Sequence, residues 1–260
     1  TDRSCDRDTK RSLLMKSVET LNQIGNVYVL KGDMNKAIEQ YRKALFITKN
    51  TIPDIAQNCH LKMYLPKTVN LHRADTLNNI ASVYAEQGKF MDALQYHNLS
   101  LEMQEKYLGK EDVAIANTLN MIGIVEFKKK NYEPAVKVFK KVLRIRKKLL
   151  GSDHESVSDV LNNIGLIYSI IEEYECARNS YLEALRVACK VLGRHHVKVA
   201  DIYGNLGFLA ENFGDKKEAR YHLSKARKIY KVNGLSDYHT FVIAVTRRDR
   251  RSSSKSPRQE

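Results

Sequence analysis

The sequence has no tryptophan and little proline, glycine or cysteine: its 260 residues include 4 Pro, 12 Gly and 4 Cys. Because helix breakers are scarce and Leu, Ala, Glu, Lys and Arg are plentiful, the composition favours helix over strand. We therefore expect an all-α protein. The four cysteines are scattered and form no CxxC pair, which argues against a disulfide framework, a zinc site or redox chemistry.

Long apolar runs are also missing. No stretch approaches the roughly 18 consecutive apolar residues that a membrane span requires, and the opening segment TDRSCDRDTKRS has no apolar signal-peptide core. We expect a cytoplasmic protein without a membrane span. The apolar content of 43% is still enough for a large core in one or two domains, at roughly 100–200 residues per domain.

Catalytic motifs are absent from the sequence. It contains no GxxxxGK[ST], HExxH, GxSxG or dinucleotide-binding glycine pattern, and its eight histidines do not cluster with cysteines or carboxylates at metal-ligand spacing. We therefore predict no enzymatic activity, no cofactor and no metal site.

An internal repeat dominates the sequence. Units open at Leu77, Leu119, Leu161 and Tyr203, at intervals of 42 residues, and a further unit opens at Leu21. Their first residues read LNQIGNVY, LNNIASVY, LNMIGIVE, LNNIGLIY and YGNLGFLA. Two small positions recur in all five units: Gly25, Ala81, Gly123, Gly165 and Gly207, and then Ala37, Ala93, Ala135, Ala177 and Ala219.

This alternation of small and bulky residues predicts two antiparallel helices in close contact. We expect the small residue of the first helix to face the alanine of the second, because a larger side chain would force the helices apart. Gly32, Gly88 and Gly214 fall in the turn between the helices, where glycine readily adopts a left-handed conformation. Lys130 and Glu172 occupy that site in the other two units.

The pattern resembles the tetratricopeptide signature over about residues 18 to 233. The linkers YLGKEDVAIA, LLGSDHESVS and VLGRHHVKVA are similar to those of the 42-residue repeats of kinesin light chains and nephrocystin-like proteins. The resemblance implies a right-handed superhelical solenoid of helical hairpins that acts as a protein-binding scaffold. We interpret the linker residues His154 and His196, and Asp112 at the same site in one repeat, as packing or capping residues.

The domain organisation follows from the repeat register. We assign five repeats, at about 18–45, 74–115, 116–157, 158–199 and 200–233. Residues 1–17 form a flank that belongs to a preceding or lengthened helix, 234–246 a capping helix, and 247–260 a disordered basic tail. Residues 46–73 form an insertion, in which we expect a helix ending near Asn50 and an irregular excursion ending near Leu71. The insertion is either a functional loop or a family-specific feature without a role in binding.

The resemblance also implies that the first helices line a concave groove. Counting the opening residue of each unit as position four, positions two, five, six and nine face the groove. Asparagines recur there, and a row of amides that both donate and accept can pair with the backbone of an extended peptide at about micromolar affinity. The predicted groove residues are Asn22, Asn26, Asn78, Asn79, Asn120, Asn162, Asn163 and Asn205. Alternatively, these asparagines cap turns or merely reflect repeat duplication.

Charge distinguishes further surfaces. Position two carries Glu19, Asp75, Asp159 and Asp201, which predicts an acidic groove edge and argues against a chaperone-type carboxylate clamp.

The formal net charge of +14 is concentrated in the third unit, where one face of the second helix carries Lys137, Lys140, Lys141, Arg144 and Lys148. This convex basic face is either simply solvated or a site for an acidic partner, such as a tubulin-like tail, an anionic lipid surface or RNA. The absence of interleaved aromatic residues makes nucleic acid the weakest of these candidates.

Two functional hypotheses follow. In the first, the chain is a non-enzymatic adaptor, similar to the cargo-binding repeats of kinesin light chains, that binds extended peptides in the groove. In the second, it is the regulatory repeat region of a larger signalling protein or enzyme whose effector domain lies outside the chain. A start at Thr1 rather than Met leaves room for such a domain.

Overall fold

The structure is a computed structural model that describes residues 2–51 and 65–235. These residues form ten α-helices and one short π-helix, with no strand among them. The helices are α1 (Asp2–Leu30), α2 (Met34–Phe46), α3 (Leu65–Glu86), α4 (Phe90–Leu108), α5 (Val113–Lys128), α6 (Tyr132–Leu150), α7 (Glu155–Ile170), α8 (Tyr174–Leu192), α9 (Val197–Phe213) and α10 (Lys216–Val232). The predicted tail at 247–260, and all of the predicted capping helix except Gly234 and Leu235, lie outside the described residues.

The chain divides into two compact units, Thr1–Ile145 and Arg146–Glu260. The first unit contains the hairpins α1–α2, α3–α4 and α5–α6, the last of them up to Ile145. The second begins with the last turn of α6 and contains the hairpins α7–α8 and α9–α10. Within each unit, the first helices of successive hairpins contact each other, as α1 and α3, α3 and α5, and α7 and α9 do. No helix among the described residues is long and apolar enough to cross a membrane.

The small residues of the first helices permit a close approach to a large side chain of the second helix. A Cβ atom added to Gly165 would lie 2.7 Å from the Tyr181 ring, and one added to Gly123 would lie 2.9 Å from the Phe139 ring. Both rings are almost completely buried. The prediction that each glycine faces the alanine of the second helix is therefore wrong: the side chain one helical turn further on, aromatic beside Gly25, Gly123 and Gly165 and a leucine beside Gly207, is what fills the space.

Every hairpin turn contains one residue with a positive φ angle. Gly32, Gly88 and Gly214 have φ angles of +79°, +75° and +89°, while Lys130 and Glu172 adopt +65° without the freedom of glycine. The turn geometry is thus common to all five hairpins although the residue is not. Backbone hydrogen bonds close the turns, as between Asn131 N and Glu126 O at 2.9 Å.

Linker side chains cap the first helices. The Asp112 carboxylate accepts a hydrogen bond from Ala114 N at 2.8 Å, and the Nδ1 atoms of His154 and His196 accept from Ser156 N and Lys198 N at 3.2 Å. Each of these bonds satisfies one of the backbone N–H groups that a helix start leaves without a partner. The interpretation of these residues as caps is confirmed.

The region of the insertion differs in detail from the expectation. Helix α2 ends at Phe46 and continues as a π-helix over Ile47–Thr51, while α3 begins at Leu65, before the expected end of the irregular segment near Leu71. Pro66 is the second residue of α3, and proline is well tolerated in a first helical turn because its missing N–H would have no helical partner there. The rest of the insertion, at 52–64, lies outside the described residues.

Candidate functional site

The asparagines at position five in the first unit connect successive first helices. Asn22 Nδ2 on α1 donates a hydrogen bond to Thr76 Oγ1 on α3 at 3.0 Å, and Asn78 Nδ2 on α3 donates to Thr118 Oγ1 on α5 at 2.7 Å. Both threonines are at position three of the following hairpin and are buried. These two amides therefore stabilise the stacking of hairpins, a role that the sequence of a single repeat does not reveal.

Asn78 belongs to a longer buried polar network. His97 Nδ1 donates to Asn78 Oδ1 at 2.9 Å, and Thr118 Oγ1 donates to Gln104 Oε1 at 2.7 Å. His97 and Gln104 are 1% and 2% exposed. Because burial disfavours the charged imidazolium, the pKa of His97 falls to about 4. At neutral pH the ring is uncharged and serves as a hydrogen-bond donor to the amide.

The second unit uses the same position differently. Asn205 Nδ2 on α9 donates to Asn162 Oδ1 on α7 at 2.8 Å. The two side chains are half-buried, and Asn162 Nδ2 and Asn205 Oδ1 make no further hydrogen bond among the described residues. This pair of asparagines joins two first helices and leaves one donor and one acceptor without a partner among the described residues.

Three predicted groove residues make no side-chain hydrogen bond to any other residue in the described part of the chain: Asn79, Asn120 and Asn163. All three are half-buried. Asn79 and Asn163 are at position six, directly after the asparagines that join the helices. Asn26, at position nine, accepts a hydrogen bond from the Tyr41 hydroxyl at 2.6 Å. We call Asn79, Asn120 and Asn163 the open asparagines.

Carboxylates at position two lie beside these amides. In the second unit, Lys198 Nζ contacts Asp159 Oδ1 at 2.9 Å and Glu155 Oε1 at 2.7 Å, and its hydrogen bond lowers the pKa of the Glu155 carboxyl. Asp201 accepts from the Tyr230 hydroxyl at 2.6 Å. In the first unit, Asp75 is accessible to solvent but partly desolvated by nearby protein atoms, which raises its pKa.

The predicted basic face on α6 is partly neutralised by carboxylates of the preceding hairpin and linker. In the first unit, Lys141 Nζ lies 3.7 Å from Glu105 Oε1, and Arg144 Nη2 lies 3.9 Å from Glu111 Oε1. Lys137 and Lys140 are exposed, and so is Lys148 in the second unit. Solvent-exposed pairs at these distances contribute at most about 1 kcal/mol each, so the face is basic but not uniformly so.

Comparison with known proteins identifies the family. The tetratricopeptide repeat model matches residues 72–148, 115–190 and 156–231, and a second model of the same repeat matches residues 18–50. The chain belongs to the tetratricopeptide repeat family. No curated protein matches the sequence significantly.

Solved structures support this assignment at the level of the fold. BtubC (BKLC) from P. vanneervenii is 18% identical, with a TM-score of 0.68, over 98% of this chain and 96% of that one. A putative kinesin light chain repeat protein from Podosopora anserina is 17% identical, with a TM-score of 0.65, over 84% of this chain and 97% of that one. Aspartyl phosphate phosphatase F from Bacillus subtilis is 14% identical, with a TM-score of 0.69, over 88% of this chain but 55% of that one.

These findings confirm an all-α helical-repeat solenoid of tetratricopeptide hairpins. The tetratricopeptide fold is in general a non-enzymatic scaffold for protein interactions. The chain is therefore a protein-interaction scaffold in its fold.

Proposed function

We propose that each unit binds extended peptides along its own first helices, the first unit through Asn79 and Asn120 and the second through Asn163 and the amide pair Asn162–Asn205. The proposal is supported by a difference between the side chains at positions five and six. The asparagines Asn22, Asn78 and Asn162 bond to the next first helix, whereas Asn79 and Asn163 beside them make no side-chain hydrogen bond among the described residues. Unpaired amides at repeated positions suit a ligand backbone, which offers alternating donors and acceptors.

The neighbouring side chains indicate what else the peptide would carry. Position nine is half-buried and apolar in later hairpins, with Ile124 in the first unit and Leu166 and Phe208 in the second. Position two adds carboxylates, of which Asp159 is paired with Lys198 while Glu19 and Asp75 are exposed. A peptide with apolar side chains and few acidic residues fits both features, because an acidic peptide would face like charges in the first unit.

Alanine substitution of the open asparagines tests the proposal. Peptides selected from a displayed random library would be titrated into the wild-type chain and into Asn79→Ala and Asn163→Ala by calorimetry. Each substitution removes a hydrogen bond worth about 0.5–1.5 kcal/mol, so we expect Kd to rise about 2- to 10-fold. Asn98→Ala on α4 and Asn179→Ala on α8 are matched controls, since both asparagines are exposed on second helices. Equal effects of all four variants would contradict the proposal.

The second hypothesis, a regulatory repeat region of a larger protein, draws on one comparison. The chain matches only 55% of aspartyl phosphate phosphatase F, which shows that a repeat array of this fold can be part of a considerably longer chain. The full-length open reading frame separates the two functions. A heptad coiled coil upstream of Thr1 would favour the adaptor, and a catalytic domain would favour the regulatory region.

A further inference from the structure

Helix α10 carries many exposed positive charges. Seven basic side chains are exposed on its 17 residues: Lys216, Lys217, Arg220, Lys225, Arg227, Lys228 and Lys231. Its one carboxylate, Glu218, is directed to Arg178 of α8, at 3.2 Å, and to His222, at 3.5 Å. Most of the basic groups lie on the side of the helix away from the buried residues Ala219 and Ala226.

In α6 and α8, charges at two positions pair with charges of the preceding hairpin or linker. The first position carries Lys141 in the first unit, which pairs with Glu105. In the second unit the equivalent residue is Glu183, which pairs with Lys147 at 2.7 Å. The signs of the two partners are exchanged, yet the ion pair is present in both units.

The second position behaves in the same way. Arg144 pairs with Glu111 in the first unit, and the equivalent Arg186 pairs with Asp153 at 2.8 Å in the second. In α10 the two positions carry Lys225 and Lys228, but the places of their partners are taken by Cys189 and His195. Neither lysine forms an ion pair with any residue that the structure describes. The pairing seen in α6 and α8 is therefore absent from α10 among the described residues, and both lysines are exposed.

The dimensions and chemistry of this surface favour one class of partner. Lys217 and Lys231 are about 21 Å apart along the helix at 1.5 Å per residue, the length of about six or seven residues of extended peptide. The apolar side of α10 is buried in the hairpin, so it cannot enter a membrane as an amphipathic helix does. Tyr221 is exposed, but Lys225 Nζ lies over its ring at 5.5 Å and His222 contacts it edge-on, which leaves a poor platform for base stacking.

We propose that the outer surface of α10 docks an acidic peptide segment of a partner protein, with Lys217, Lys225 and Lys228 as its central contacts. Arginine and lysine side chains would bind successive carboxylates of the segment, and Arg220 and Arg227 can each form two parallel hydrogen bonds to one carboxylate. The surface is distinct from the open asparagines and does not depend on their function.

Binding of a fluorescein-labelled octaglutamate peptide tests this proposal. Fluorescence anisotropy would be measured at 50 mM salt for the wild-type chain, for Lys217→Glu/Lys225→Glu/Lys228→Glu on α10, and for Lys137→Glu/Lys140→Glu/Lys141→Glu on α6. Both triple variants change the net charge equally. We expect the α10 variant to weaken binding about tenfold or more and the α6 variant less than about threefold, since contact pairs are lost in the first and only the overall field changes in the second.

One further variant and two competing probes complete the test. His195→Glu restores a carboxylate at the partner position of Lys228 and leaves every lysine of α10 in place; we expect it to weaken peptide binding several-fold without loss of helicity. An octauridine RNA and vesicles containing phosphatidylserine serve as competing probes. Equal losses in the two triple variants, no effect of His195→Glu, or tighter binding of RNA or vesicles than of the peptide would each overturn the proposal.

Discussion

Asn78 in the first unit and Asn162 in the second occupy the same repeat position but have different surroundings. Asn78 uses its oxygen for buried His97 and its nitrogen for buried Thr118, whereas Asn162 accepts one bond from half-buried Asn205. The difference comes from two neighbouring positions. Tyr181 stands at the place of His97, and Ile202 stands at the place of Thr118. The neighbouring residues thus determine whether both polar groups of a repeated amide bond within the protein or one of them stays open.

The largest consequence of this difference is a pH-dependent stability of the first unit. The pKa of His97 is about 4 in the folded chain and near 6.5 when unfolded. Between these values the unfolded state binds more protons, so stability is complete above about pH 6.5 and falls as the pH approaches 4. The loss amounts to about 3 kcal/mol. Hydrogen exchange of α3–α5 amides between pH 7 and 4.5, corrected for intrinsic rates, measures it.

His97→Phe is the matched variant for this experiment, because Phe139 occupies the equivalent position of the next hairpin. This variant should reduce the dependence of the local unfolding free energy of α3–α5 on pH. Burial also lowers the pKa of His222 in the second unit, but Glu218 opposes that effect, so α9–α10 should lose less stability over the same range. An unchanged pH dependence in His97→Phe would show that another group is responsible.

Alanine substitution at position five should destabilise the two units to different extents, and this difference is smaller than the effect of pH. Asn78→Ala leaves the N–H of His97 without an acceptor in a buried site, at a cost of about 2 kcal/mol. Asn162→Ala should cost less than about 1 kcal/mol, since Asn205 can turn to solvent. Local unfolding free energies from hydrogen exchange of α3–α5 and α7–α9 provide the comparison. Equal losses of unfolding free energy in the two variants would mean that burial of the polar network does not contribute to the stability of the first unit.

Much of the fold could be predicted from the sequence because the repeat carries its own geometry. The 42-residue spacing, the small positions at Gly123 and Gly165, and the capping residues of the linkers each indicate a local structure that packing preserves. The partner of each glycine was predicted wrongly, because spacing along one helix does not determine which residue of the other helix fills the space. Helix α3 starts before the expected end of the irregular excursion, because a proline such as Pro66 is tolerated in a first helical turn.

The candidate site was harder to predict, for a physical reason. Which asparagines are engaged depends on contacts between hairpins, and these depend on residues more than 40 positions away, as Asn22 and Thr76 illustrate. A threonine at position three, next to the opening leucine, is the signal in the sequence that could have indicated the engaged amides. The basic residues of α10 are equally visible in the sequence, but only the missing ion pairs of Lys225 and Lys228 distinguish them from those of α6.

The central claim is that a peptide ligand contacts the open asparagines of the first helices. The most direct test is an NMR titration of a library-selected peptide into the ¹⁵N-labelled chain, observing the side-chain NH₂ resonances of asparagine. We predict that the resonances of Asn79 and Asn163 shift in proportion to saturation, while those of Asn98 and Asn179 on second helices and of buried Asn78 do not. Shifts confined to second-helix asparagines, with Asn79 and Asn163 unchanged at saturation, would contradict the account.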